Sequence, residues 1–212
     1  MSDPGVRRAS AAEYAWVGDW LDEVSGAYCL TLARGLTPQQ FLVRIGARVD
    51  PAPRRGLDSL AEASAEIWAR HEGERLLIGV TTVPGGWALA MELNGHLGVT
   101  PGVIVPLSAG TVVVSHYRND AVHRFYFVED QVIRLYFEPL FPADREGSER
   151  DELAGAMTQA GFDLRKDAGA EGDVPAAAAS FALAEILTGA RVSPELIEDS
   201  SYWCGVVQAP EL

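Results

Sequence analysis

A chain of 212 residues, 48% of them hydrophobic and 22% charged, is long enough to bury one core without staples, which excludes disorder as the main state. Thirty acidic against seventeen basic residues give a formal net charge of -13, which opposes nucleic acid and anionic membrane as partners. Cys29 and Cys204, far apart and in no CxxC arrangement, exclude a disulfide scaffold and a structural zinc site from the expectations; they read as small buried apolar residues.

In chain order, Ser10 followed by Glu13 is a capping-box signature, and Tyr14, Val17, Leu21 and Val24 recur at helical spacing, which predicts a helix over 11–24. "AYCLTLAR" reads as a strand, and Thr37, Pro38 and Gln40 start a second helix that closes at Gly46. Residues 47–57, rich in proline and arginine, read as an exposed connection; a helix over 58–71 follows. From residue 75 the period becomes two. "RLLIGVTTV" and "WALAMEL" flank the turn Pro84-Gly85-Gly86, with Leu89, Met91 and Leu93 on one face and Ala88, Ala90 and Glu92 on the other.

Asn94-Gly95 is a second turn signal, and "VTPGVIVPLSAG", with two prolines and two glycines, reads as a loop or covering segment. "TVVVSHYR", "HRFYFVE" and "QVIRLYFE" form a meander. A three-residue turn, 129–131, would place Phe125, Phe127, Ile133, Leu135 and Phe137 together, with Arg124, Tyr126, Arg134 and Tyr136 on an opposite, solvated face. Ser148 and Asp151 open a helix ended by Gly161, and residues 165–174 are a polar loop. "PAAAASFALAEILTG" is a helix apolar on nearly all sides, fit for a sheet face or a subunit contact; a last helical turn at Ser193-Pro194-Glu195 precedes the strand "YWCGVV". The expectation is one α+β domain over residues 1–212, a mainly antiparallel meander of about five to seven strands packed with four or five helices.

"VSHYRNDAVHRFYFVED", residues 114–130, concentrates the residues able to carry chemistry. Arginine at the bend can clamp a carboxylate or phosphate in a fork, and histidine can transfer a proton near neutral pH. Asn119-Asp120 is equally a good turn pair, because both side chains bond their own backbone. Spacing of seven between His116 and His123 matches no usual ligand pattern, so no metal is expected. GxxxxGK[ST], GxGxxG, GxSxG and HExxH are all absent. Neither a cofactor nor a catalytic residue is assigned.

"YCLTLARGLTPQQFLVRIGA", "GGWALAMELNG" and "LSAGTVVVSHYRNDAVHRFYFVEDQVIRLYFEPLFP", with "FALAEILTGARVSPELIE" later, resemble an uncharacterised actinobacterial family, domain of unknown function 6461. The resemblance implies a cytoplasmic actinobacterial protein and names no reaction. It fits a basic complement that is all arginine except Lys166, a codon-usage habit of high-GC genomes. Missing signal-peptide and membrane-span patterns point to the cytoplasm as well.

Two functions are expected from different classes. The first is a non-enzymatic binding protein, an inhibitor, immunity-like or regulatory module whose partner is another protein, with Trp16, Trp20, Tyr202 and Trp203 as aromatic anchors. Alternatively, a small-molecule-binding protein or enzyme has its pocket at the sheet's mouth around the 116–124 bend, built from Trp87, Glu92, Asn94, His116, Arg118 and His123.

Overall fold

The computed structural model describes residues 9–18, 20, 27–165 and 174–210. Among them, ten strands make one sheet: β1 (Tyr28–Arg34), β2 (Arg48–Val49), β3 (Arg54–Arg55), β4 (Arg75–Val83), β5 (Trp87–Leu93), β6 (Val112–Arg118), β7 (His123–Glu129), β8 (Val132–Phe137), β9 (Arg145–Glu146) and β10 (Ser201–Gln208). Their spatial order is β2-β10-β4-β5-β1-β6-β7-β8-β9, with β3 also on β10, and every pairing is antiparallel. The α+β class stands as read, but the strand count exceeds the expected five to seven. The additions β2, β3 and β9 are two residues each, too short to show a period. β2 and β3 lie within the segment read as an exposed connection.

The sheet is covered on both faces. The first carries Tyr28, Leu30, Leu32, Leu89, Met91, Leu93, Phe125 and Phe137, and packs under the 3-10 turn Ala11–Tyr14 and several helices. The second carries Cys29, Ala33, Ala88, Ala90, Val113 and Val128. It lies under α1 (Pro38–Arg44), the 3-10 turn Leu97–Val99 and α3 (Pro101–Leu107). Double coverage explains why β5 is buried at every position although its sequence alternates in size. The "VTPGVIVPLSAG" segment is therefore a helix. Pro101 suits a first helical position, where the missing N–H costs nothing, and Pro106 falls in the last turn.

The 47–57 connection leads into α2 (Leu57–Arg70), whose Leu57, Leu60 and Ala63 join the first core. α4 (Ala154–Ala160) ends at Gly161, whose φ of 119° lies in the region only glycine enters freely. The alanine-rich stretch is α5 (Ala176–Thr188), buried from Ala177 to Glu185 against the sheet, so its apolar surface belongs to the core. Phe181 and Leu183, at 3% and 0% exposure, each contribute about 2 kcal/mol of burial. After α6 (Pro194–Asp199), capped by Ser193, the chain enters β10. Residues 11–14 and 16–18 follow the expected first helix; residues 19 and 21–24 of it, and 166–173 of the polar loop, lie outside the described residues.

One charged residue interrupts the apolar run of α5. The Glu185 carboxylate accepts from the Tyr14 hydroxyl at 2.7 Å and faces Arg191 at 3.8 Å, while Arg191 also donates to Glu13 and sits over the Tyr14 ring. These contacts tie the N-terminal turn to α5. Glu185→Ala leaves the buried Tyr14 hydroxyl without its acceptor, and should cost about 2 kcal/mol in urea denaturation. Glu185→Gln keeps an acceptor and should cost clearly less; equal costs would remove the hydrogen bond as the cause.

The β7–β8 connection departs from expectation. Only Asp130 and Gln131 form the turn, at φ of 43° and 65°, and a bulge follows. Val128 pairs with Ile133 but Phe127 pairs with Leu135, leaving Arg134 as the extra residue. Ile133 therefore moves to the second face beside Tyr126 and Tyr136, away from Phe125, Phe127, Leu135 and Phe137. Nor is the Arg-Tyr face solvated as a whole, since Tyr126 is buried and stacks on Tyr136 at 4.5 Å between ring centroids. Arg134 turns instead to Glu129 and Glu149.

Candidate functional site

The pleat divides the 116–124 bend between two environments. Register places Arg118 opposite His123 and His116 opposite Phe125, so His116, Arg118 and His123 share the first face with Tyr28. Tyr117 lies opposite Arg124, and both project from the second face.

On the first face, the Tyr28 hydroxyl and His116 Nδ1 are 3.0 Å apart, and the His116 ring meets Phe181 of α5 edge-on. His116 and His123 are buried with ring centroids 6.0 Å apart, and neither His116 Nε2 nor His123 Nδ1 has a partner. Burial, then the neighbouring His123 and Arg118 charges, holds the His116 pKa far below the usual imidazole range. Burial and Arg118 take His123 down to about 4. The His123 backbone N–H donates to Glu138 at 2.8 Å. Both imidazoles are buried, at 2% and 9% exposure, and neutral at pH 7.

On the second face, Glu92 is 2% exposed, and its two carboxylate oxygens accept from the backbone N–H groups of Leu97 at 2.9 Å and Gly98 at 3.0 Å. Burial pushes its pKa up to about 7 against those hydrogen bonds. Beside it, Thr31 and Ser115 hydroxyls stand 2.8 Å apart and Cys29 Sγ lies 3.5 Å from Ser115 Oγ. Gly98 rests directly on Thr31, Ser115 and Cys29, where any Cβ would overlap them. The 3-10 turn is thereby pinned to the sheet at a fixed height.

That turn walls a cavity of about 370 Å³ at the mouth of the β6–β7 bend. Val99, Pro101 and Val122 supply apolar walls; His96, Tyr117 and Arg124 supply the polar groups. The His96 and Tyr117 rings meet edge-on at 6.5 Å. His96 Nε2 is buried without a partner, and burial followed by the Arg124 charge lowers the His96 pKa. Tyr117 accepts from Asn119 Nδ2 at 2.8 Å, while Asn119 Oδ1 accepts from the Ala121 and Val122 N–H groups and holds the bend. Arg124 stands beside the Tyr126 phenol and forms no ion pair among the described residues.

The six expected pocket residues do not converge. His116, Arg118 and His123 stand together on the first face, and Glu92 lies beneath the second. Trp87 is buried six residues along β5 from Leu93, about 20 Å away at the other end of the sheet. Asn94 is exposed at φ 61°, its N–H donating to Ala27. Of the four anchors, Tyr202 is fully buried and donates to the Ile197 carbonyl, and Trp20 is 6% exposed. Trp16 is half-buried against Trp20 and Phe181, and Trp203 half-buried against the second core. Sequence reasoning passed over His96, Val99, Pro101 and Arg124; the signal was parity, since Tyr117 and Arg124 share the face that "VTPGVIVPL" covers.

No three metal-ligating side chains converge among the described residues, and none of their helices is long and apolar enough to cross a membrane. No curated protein and no solved structure matches the chain. A family model does match, over residues 7–211, and by that nearly complete coverage the chain belongs to a family of unknown function, DUF6461.

Proposed function

We propose that this protein binds a small molecule in the cavity at the β6–β7 bend and acts in the cytoplasm. The observation that carries the reading is the cavity itself. About 370 Å³ lies within the range of ligand sites, with apolar walls and a few convergent polar groups whose bonding capacity is unspent. Its wall is fixed before any ligand arrives, because Glu92 and the Gly98 contact hold the 97–99 turn. Two buried free thiols suit a reducing compartment.

A protein partner was the first expectation, and two of its motives, the apolar helix and half of the aromatic anchors, belong to the core. The apolar helix α5 is core, as are Trp20 and Tyr202. The large exposed apolar side chains, Val43, Trp68, Val132 and Phe141, stand on separate elements.

A fragment library of neutral and charged arenes, followed by methyl NMR, tests the proposal. Binding fragments should shift the Val99 and Val122 methyl signals, and Val122→Trp, which fills the cavity, should abolish those shifts while the fold is retained. A library that leaves both methyls unmoved would sink the reading.

A further inference from the structure

We propose that the ligand of this cavity is a monocarboxylate on a flat apolar body, its carboxylate forked by Arg124 and its ring lying against Val99, Pro101 and Val122. The proposal rests on the bend cavity being a ligand site, and it adds the charge and shape of what enters.

The polar groups around the cavity are not equally available. Thr100 Oγ1 already donates to the His96 carbonyl, and Asn119 is committed at both ends. What remains is the Tyr117 O–H, whose oxygen accepts from Asn119 while its proton is free, the unpartnered His96 Nε2, and the Arg124 guanidinium. Burial raises the Tyr117 pKa, so its proton stays available for donation at neutral pH. The unspent capacity is donor-rich and carries a positive charge, which calls for an acceptor-rich anion.

Charges around Arg124 support this. Tyr126, beside it, is neutral. Glu138, whose charge acts on it, has its carboxylate occupied by the His123 and Leu140 N–H groups. A carboxylate matches the planar fork of a guanidinium in two parallel hydrogen bonds. A dianion would meet stronger repulsion from a chain of net charge -13, so a single negative charge is favoured.

Size and shape follow from the walls. At about 30 Å³ per water the cavity holds roughly twelve waters, which admits a substituted single ring that displaces about half of them. Two valines, a proline and the edge-on His96–Tyr117 pair border a slot suited to a flat body. A ring hydroxyl would give His96 Nε2 the partner it lacks.

Benzoate, benzamide and benzylamine share one ring and carry charges of minus one, zero and plus one. Each is titrated into the protein and into Arg124→Gln, with the Val99 and Val122 methyls as readout. Benzoate should bind about tenfold more tightly than benzamide, and benzylamine should bind weakest. Arg124→Gln should erase the gap between benzoate and benzamide while leaving benzamide unchanged. Equal binding of benzoate and benzamide, or tightest binding of benzylamine, would overturn the carboxylate assignment and leave the cavity reading intact. An undiminished gap in Arg124→Gln would overturn the role of that arginine. If none of the three moves either methyl, the cavity reading falls and this proposal with it.

Discussion

Gly98→Ala should cost about 3 kcal/mol of stability in chemical denaturation, the upper end of ordinary overpacking. The added methyl would overlap Thr31 Oγ1 outright and stand 2.6 Å from Ser115 Oγ and 2.9 Å from Cys29 Sγ. All three atoms belong to buried strand residues that cannot swing aside. Lifting the 97–99 turn would also stretch the Leu97 and Gly98 bonds to Glu92 and move Val99, so ligand binding at the bend should be lost as well. Thr31→Ala in the same chain removes the worst overlap and should restore part of the stability, giving a coupling energy that independent sites would not show. A cost for Gly98→Ala below about 0.5 kcal/mol would mean that the turn does not sit on this cluster.

The second large effect is on the pH profile of stability. His123 titrates near 6.5 in the unfolded chain and near 4 in the fold, because burial and Arg118 disfavour its cation. The unfolded state therefore holds more protons between those values, and the contribution of His123 is complete above pH 6.5. It is lost as pH falls to 4, by about 3 kcal/mol. His116 acts in the same direction. Glu92 acts oppositely: with its pKa raised to about 7, the fold keeps a proton that the unfolded chain releases above 4.5. Its contribution is complete below pH 4.5 and falls by about 3 kcal/mol as pH rises to 7. Denaturation midpoints across pH 4 to 8 should show His123→Gln with a flatter acid limb than wild type. Glu92→Gln should lose stability relative to wild type as pH falls from 7 to 4.5. A His123→Gln profile parallel to that of wild type would show that this imidazole titrates normally.

The strands β1, β4, β5, β6, β7 and β8 were legible because each is long enough to display a period of two. The helices α1 and α5 were legible through the Thr37-Pro38-Gln40 start and the uninterrupted apolar run. α3 was hidden by its own prolines, which mark loops in sequence but here occupy helical positions that tolerate them. The bulge at Arg134 was hidden because the turn before it uses Asp130 and Gln131 at positive φ, where glycine or asparagine is the usual signal. The site was half legible. The bend was singled out by its composition, but parity, not composition, separates His116 from Tyr117 and sends their neighbours to opposite faces. Trp87 and Leu93 share a face, yet pairing with Arg34 and Tyr28 respectively puts them at opposite ends of β1.

β10 is inserted between β2 and β4, although every other strand precedes it in the chain. During synthesis, β4 can pair with β5 as soon as residues 87–93 have emerged behind the turn at Gly85 and Gly86, but its other edge has no partner until residues 201–208 leave the ribosome. For most of translation that edge presents nine residues of strand with unpaired backbone groups, a template for pairing with other chains. The hairpins from β4 to β8 are local, whereas the β4–β10 closure spans more than half the sequence and sets a slow final step. Nascent chains arrested before residue 201 are accordingly the form of this protein most dependent on chaperones.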